Sequence, residues 1–300
     1  MNSSNFDIIL PFLIENDSIR GRFSRLDETV NVILSQHQYP LAIGGALCES
    51  MALAAILAST LKIDGTFTLQ AQGNGIISLL VVNIFQDGKM RAFAKYDEEK
   101  LKTAQIKRKT ENMLEPTPHL LGGGYLAFTA EQGEERYQGI VALEGNTLAE
   151  CANKYFIKSE QIDTAIKIAV KEPNDKRGWQ ASAVMVQKMP QEKKDAVISQ
   201  DDDDDVWRSA VIFLSSLQDN EMLSSSNSPE EIIYRIYHDN NLKVFEKKHI
   251  SFGCSCSKER VENTLKTFSK EELADMKEEG KVKVKCQFCS REYIFNDGDL

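Results

Sequence analysis

The chain lacks any excess of basic charge. With 36 Lys and Arg against 45 Asp and Glu its formal net charge is −9 at pH 7, which argues against a surface built to neutralise phosphates and so against nucleic-acid binding. A secretory n-region is missing as well. Met1–Asp7 carries no Lys or Arg, and the apolar stretch Ile8–Ile14 is interrupted by Pro11, so no export is expected. No uncharged membrane span is evident either: the one long apolar run, Leu41–Leu61, contains Glu49 and Ser50 and is rich in Ala, which predicts a buried core helix. There is no Gly-x-x-x-x-Gly-Lys-Ser/Thr loop for a nucleotide, no Gly-x-Ser-x-Gly elbow and no His-Glu-x-x-His pair, so ordinary nucleotide and hydrolase chemistry has no support. Gly122-Gly123-Gly124 reads as a turn or bulge entering a strand.

What is present is enough hydrophobic content, 42% of 300 residues, for one sizeable core and a smaller appended module. Thr66–Ala71, Ile76–Phe85 and Met90–Tyr96, punctuated by Gly73-Asn74-Gly75 and Asp87-Gly88, predict a three-stranded antiparallel meander. Gly124–Thr129 with Arg136–Leu143, and Ile162–Lys171 with Trp179–Met189 across Pro173-Asn174-Asp175, predict two further hairpins. Helices are expected at Ala46–Leu61 and Thr147–Phe156, the latter with Asn146 as N-cap. Interspersed strands and helices without a βαβ rhythm define an α+β core, mainly antiparallel sheets with packed helices, over residues 1–190.

Composition shifts after Pro190. A Lys/Gln/Asp-rich stretch ends in Asp201–Asp205, a run expected to be solvated and flexible. Beyond it, Val206–Gln218 and Pro229–His238 have helical periodicity, with Ser228 as N-cap and Pro229 at N1. These amphipathic helices, in a linker over 191–250, present Trp207, Ile212, Phe213, Leu217, Ile232, Ile233, Ile236 and Tyr237. Such apolar surface must be covered in the folded state.

The tail, 251–300, holds nineteen charged residues and few large aliphatics, so it can bury little core. Yet four of the six cysteines lie in the last 47 residues, as Cys254-x-Cys256, then 29 residues, then Cys286-x-x-Cys289. In a chain without an export signal, clustered thiols are metal ligands or redox groups more often than structural disulfides. Two thiolate pairs around a helix-sized insert match a tetrahedral four-sulfur zinc site, whose affinity would contribute the folding free energy that a small core lacks. Lys281–Lys285 and Arg291–Phe295 predict a knuckle hairpin around the second pair. Arg260–Phe268 and Lys270–Glu278 predict helices between the pairs, the second opened by the capping box Ser269-x-x-Glu272 and closed at Gly280.

Spacing alone leaves open a purely structural zinc module or a thiol-disulfide oxidoreductase, although a thioredoxin-like Cys286-x-x-Cys289 should open a helix after a strand. The single residue between Cys254 and Cys256 is unusual: without metal, a disulfide there would close a small strained ring, readily reduced again. Lys258, Arg260, Lys285 and Arg291 flank the thiols and would favour thiolates, the form oxidants attack. Cys48 and Cys151 fall on apolar helical faces and read as small core residues. His238 and His249 read as surface or linker residues, because four sulfurs already complete a tetrahedral shell.

The cysteine pattern at the end of such a core resembles the heat shock protein 33 family of redox-regulated holdases. The resemblance extends through Gly21–Asp27, Leu69–Gly73, Glu135–Val141, Tyr155-Phe156-x-x-Ser159-Glu160-Gln161 and Phe252-x-Cys254-x-Cys256-Ser257-x-Glu259-Arg260. It implies an ATP-independent, non-enzymatic cytoplasmic chaperone of the stress response, inactive when reduced and carrying one zinc ion per chain on Cys254, Cys256, Cys286 and Cys289. Oxidation is then expected to link Cys254 to Cys256 and Cys286 to Cys289, release zinc, and unfold the tail together with the linker from about Val206 to Ile250. The uncovered apolar surface would hold unfolding or oxidatively damaged clients for later refolding, with homodimerisation in the oxidised state. Neither nucleotide, nucleic acid nor membrane is an expected partner. The Asp201–Asp205 run and the Gln/Lys stretch before it look like insertions.

Overall fold

The structure, a computed structural model, describes residues 6–16, 18–61, 64–104, 116–190, 200–278, 280–296 and 299. Met1–Asn5 and the stretch 191–199 discussed above lie outside the described residues.

The chain opens with a hairpin, β1 (Ile8–Ile14) and β2 (Ile19–Leu26), where Pro11 had suggested only an interruption. Pro11 sits in β1 opposite Arg22, and its carbonyl accepts from the Phe245 N–H at 3.0 Å; proline is tolerated near a sheet edge, where the ladder beside it is already discontinuous. Gly21 lies opposite Phe12, whose ring would come within 1.9 Å of any Cβ there, so only glycine lets the two strands close over that ring.

Helices α1 (Glu28–Ser35) and α2 (Leu41–Ala58) follow. α2 begins five residues earlier than its expected start, because Pro40 ends the preceding turn and the Gly44–Gly45 pair is accepted where backbone must approach closely: a Cβ on Gly44 would meet Trp179 at 2.8 Å. This helix is long and apolar enough to cross a membrane, but 83% of it is buried inside the fold. It is apolar on all sides because it has sheet on both sides.

The meander is β3 (Thr66–Gly73), β4 (Ile77–Phe85) and β5 (Lys89–Tyr96), within a residue or two of expectation. After the short helices α3 (Glu98–Thr103) and α4 (Thr117–Leu121) come β6 (Gly124–Gln132), β7 (Glu135–Ala142), α5 (Leu148–Tyr155), a π-helical turn (Phe156–Glu160), β8 (Thr164–Lys171) and β9 (Gln180–Lys188). Thr147, not Asn146, caps α5, its hydroxyl accepting from the Glu150 N–H at 3.1 Å. The Glu49 carboxylate accepts from the Leu148 N–H at 2.9 Å and from the Thr117 hydroxyl, tying α2 to the starts of α5 and α4.

Two six-stranded sheets result. The second runs β7-β6-β3-β4-β5 and is antiparallel over these strands; the first contains β1-β2-β9-β8, also antiparallel. The main hydrophobic cluster fills the space between them around α2, and it includes Cys48 and Cys151, both fully buried. Burial pushes the Cys48 thiol well above its ordinary value and Cys151 to about 11, as befits core residues.

The other face of the first sheet is covered by α6 (Gln200–Ser216), α7 (Asp219–Met222) and α8 (Pro229–Tyr237). α6 starts at Gln200 rather than Val206, so the Asp201–Asp205 backbone is helical and not an open tether. Ser228 accepts from the Glu231 N–H and forms a full capping box, with Pro229 at the first helical position, as expected.

Three two-residue strands then return to the core. β10 (Lys243–Val244) and β11 (Lys248–His249) pair with β1, and β12 (Ser251–Phe252) pairs in parallel with β5. The tail comprises α9 (Lys258–Leu265), α10 (Lys270–Asp275) and the antiparallel strands β13 (Lys277–Glu278), β14 (Lys281–Lys285) and β15 (Glu292–Asn296). Its second helix is shorter than expected, since Lys277 and Glu278 pair with Val282 and Lys281 instead. Gly280 makes the intervening turn with φ of 76°, a conformation other side chains resist.

Candidate metal centre

Four elements of local chemistry bring the C-terminal sulfurs together. Cys254 and Cys256 lie between β12 and α9, where Ser257 caps the helix by accepting from the Arg260 N–H at 3.2 Å. Cys286 and Cys289 lie in the turn joining β14 to β15. That turn is closed by Cys286 N–H to Arg291 O and Ser290 N–H to Cys286 O, each 2.9 Å, with Ser290 left-handed at φ 55°. A CxxC in a hairpin turn lacks the helix N-terminus that lowers the attacking thiol in thioredoxin-like sites, so the geometry disfavours that catalytic reading.

The four sulfurs lie within 4.8 Å of one another, all half-buried. Cys254 Sγ and Cys286 Sγ are 3.8 Å apart, and Cys256 Sγ and Cys289 Sγ 3.3 Å. With metal–sulfur bonds of about 2.3 Å, a tetrahedral zinc site has sulfur–sulfur edges of about 3.8 Å. The donor set therefore fits a soft or borderline cation in both number and spacing. His238 and His249 are exposed residues outside this cluster.

Such crowding prevents all four thiols from ionising without a compensating charge. Burial works to raise Cys256, but hydrogen bonds from Tyr293 Oη at 3.1 Å and from the neighbouring thiols outweigh it and bring the group down to about 7. Burial and the nearby thiols push Cys289 up to about 12, and burial also raises Cys254. A cation at the centre would supply the missing charge and ionise the set together.

Sequence reasoning missed two groups that touch the sulfurs. Tyr293 follows the inward alternation of β15 with Phe295, a signal that was available. Arg91 comes from β5, far away in sequence: its guanidinium reaches Cys254 Sγ at 3.6 Å and Ser255 Oγ at 3.0 Å, bonds Asn83 Oδ1 at 3.0 Å and stacks 4.0 Å from the Phe288 ring centroid. Of the flanking cations expected beside the thiols, Arg260 donates to Ser255 O at 2.9 Å, and Lys258 lies over the Phe295 ring.

The same turn docks on the core. Phe288 meets Phe93 edge-on at 4.8 Å, Ser290 Oγ donates to Gln36 O at 2.7 Å and His37 Nε2 lies 2.9 Å from Gln287 O. Inside the tail the hydrophobic cluster has, among the described residues, only Leu265, Val282, Tyr293 and Phe295 as buried members. So few buried side chains supply little of the driving force a domain needs.

The linker residues singled out from sequence divide by face. Leu217, Ile232, Ile233, Ile236 and Tyr237 are buried against Ile8, Leu10, Phe12, Phe23 and Val184 of the first sheet, joined by Ala210, Leu214, Met222 and Leu223. Trp207 is half-buried, whereas Ile212 and Phe213 are exposed, at 59% and 38%. Polar contacts reinforce the seat: Tyr237 Oη donates to Ala210 O at 2.9 Å, and Lys167 of β8 donates to Leu217 O. The fully buried Arg25 donates from Nε to Met222 O at 2.9 Å and from Nη1 to Asn227 O at 3.0 Å, while its Nη2 has no hydrogen-bond partner among the described residues. Burial lowers its guanidinium to about 10, against the opposing pull of Glu230.

An α+β core, an amphipathic helical cover and a four-thiol tail with scarcely any core together define a class of protein built around a C-terminal cysteine cluster. The family model described as "Hsp33 protein" matches residues 7–296. Curated relatives named 33 kDa chaperonin are similar over almost the full length: 32% identical from Caulobacter vibrioides (96% of this chain, 94% of the relative), 34% from Shewanella loihica (98% and 94%) and 33% from Escherichia coli (96% and 92%). The chain belongs to the Hsp33 family of chaperones. The crystal structure of the 33 kDa chaperonin of Thermotoga maritima has the same fold, with a TM-score of 0.79 at 23% identity over 98% of this chain and 96% of that one.

Proposed function

We propose that this chain is a redox-regulated, ATP-independent holdase, organised as a core over 1–190, a releasable linker over 191–250 and a zinc-binding switch over 251–300. Cys254, Cys256, Cys286 and Cys289 hold one zinc ion in the reduced, inactive state. Zinc, when bound, supplies structural charge and cross-linking rather than catalysis. The observation that carries this reading is the meeting of four sulfurs, within 4.8 Å of one another, in a module whose hydrophobic cluster has four buried members among the described residues.

Oxidation joins Cys254 to Cys256 and Cys286 to Cys289. Each new sulfur–sulfur bond delivers two electrons to one peroxide, which takes up two protons and leaves as water. The pairing matters physically. The short contacts in the reduced state run between the two motifs, at 3.8 and 3.3 Å, and disulfides there would close a loop of about thirty residues and hold the tail folded. Local pairing instead removes the metal's donors and leaves no link across the tail, so the tail unfolds.

Loss of the tail removes the Phe288 and Ser290 contacts with the core and frees the chain that leads back to α8. The linker then leaves the first sheet, baring Leu217, Ile232, Ile233, Ile236 and Tyr237 together with the sheet residues they cover; Trp207, Ile212 and Phe213 add to the same client-binding surface. Clients are unfolding or oxidatively damaged proteins, held without nucleotide, in the cytoplasm, by an oxidised homodimer. The test is peroxide treatment with mild heat: about one zinc is released per chain, two disulfides form and client aggregation is suppressed. Oxidation that releases zinc without any gain in client binding refutes the holdase reading.

A further inference from the structure

One short strap closes an edge of each core sheet. Between α8 and Cys254 the chain lays β10 and β11 antiparallel on β1, and β12 parallel on β5. Further backbone bonds seat it on β1: Phe245 N–H to Pro11 O at 3.0 Å, Ile250 N–H to Asp7 O at 2.8 Å, and Glu15 N–H to Asn240 O at 2.6 Å. Among the described residues, the only other strand beside β1 is β2. Among the described residues, the strap therefore covers the edge that β1 would otherwise leave open.

Alternate residues of a strand direct their backbone groups to the same side, so Ile9 and Leu13 face the strap along with Asp7, Pro11 and Glu15. Adjacent to that edge lies the apolar face made by Ile8, Leu10, Phe12 and Ile14 of β1, which α6 and α8 cover. The strap is continuous with α8 at one end and with Cys254 at the other, and both are released in the function proposed above, on which this inference rests. Release would leave unpaired backbone and bare apolar side chains next to each other.

We propose that in the activated state β1 accepts an extended segment of an unfolding client polypeptide as an added antiparallel strand, in the place now held by residues 240–250. The occupant is argued from what already sits there, a strand paired with β1 through its backbone, with the Lys247–Glu230 ion pair at 2.8 Å beside it. Backbone pairing accepts any sequence, and the neighbouring apolar face selects segments with apolar residues at alternate positions. Pro11 withholds one donor midway along the edge, which shortens the ladder a client can build. This is a way of blunting an edge against permanent association.

The test uses the full-length oxidised protein and a synthetic peptide spanning Lys243 to Ser251 as competitor. A second version carries N-methyl groups on the Phe245 and Ile250 amides, the two that donate to Pro11 and Asp7. The unmodified peptide is expected to reduce client capture, and the methylated one to need a concentration about fivefold higher or more, the loss of two net hydrogen bonds. Bound client should also slow amide exchange at Leu13 and Glu15. Equal potency of the two peptides, or unchanged exchange at Leu13 and Glu15 with client bound, overturns strand addition while leaving the holdase reading intact. Oxidised protein that suppresses no aggregation overturns both.

Discussion

Ile233→Ala should switch the chaperone on without any oxidant. Ile233 is fully buried in the cluster between α8 and the first sheet, and truncating such a residue costs about 2–5 kcal/mol in transfer and cavity terms. That cost falls on the docked state alone if the linker can leave while the core stays folded. Taking about 3 kcal/mol, the ratio of released to docked linker rises roughly a hundredfold. The assay compares reduced, zinc-loaded Ile233→Ala with wild type for apolar-dye binding, client capture and zinc content. Dye binding and capture should rise while zinc stays near one per chain. Tyr234→Ala, at a neighbouring position with a 63% exposed side chain, should change neither. If Ile233→Ala lowers the melting temperature but leaves dye binding and capture at the wild-type level, the linker is not a separately released element and the reasoning fails.

Three other outcomes follow from the site. Cys286→Ser should weaken zinc binding by more than the roughly tenfold to hundredfold that losing an outer-shell partner costs, and should partly unfold the tail under reducing conditions. Unchanged zinc content and unchanged dye binding would contradict this. Tyr293→Phe, which removes the hydroxyl that donates to Cys256 Sγ, should weaken zinc binding by roughly tenfold to hundredfold, the cost of losing a partner that orients a metal ligand. Competition with a chelator in reduced protein reads the change, and an unchanged zinc affinity would show that the hydroxyl does not stabilise the thiolate. Peptide mapping of peroxide-treated protein should recover Cys254–Cys256 and Cys286–Cys289; disulfides between the motifs would leave the tail cross-linked and refute its unfolding.

Much of this architecture was legible because its signals are local. The meander from Thr66 to Tyr96 announces itself through alternation and Gly or Asp-Gly turns, and the knuckle at Cys286–Cys289 through two short alternating strands. Ser228-Pro229 and Ser269-x-x-Glu272 place helix starts correctly because capping is a short-range bond. What escaped depends on distant partners. Ile8–Ile14 is a strand despite Pro11, since β10 and β11 divide the ladder on either side of it. The Asp201–Asp205 run is helical because α6 as a whole docks on the first sheet, a context absent from a window of five like charges. Lys277–Glu278 leaves its helix to pair with β14. The four thiols were visible by spacing, but no sequence feature ties Arg91 to Cys254 across 163 positions. Nor does any mark Arg25 as the buried donor that holds the linker at Met222 and Asn227.

The central claim is that the tail owes its fold to four sulfurs gripping a cation, and that the linker follows the tail. Amide hydrogen exchange on reduced, zinc-loaded protein and on fully oxidised, zinc-free protein tests it most directly. Protection should disappear from residues 254–296 and from the helices between 200 and 237, and persist in the strands around α2. A tail that stays protected after complete removal of zinc, or a linker that stays protected after the tail has opened, would contradict the account.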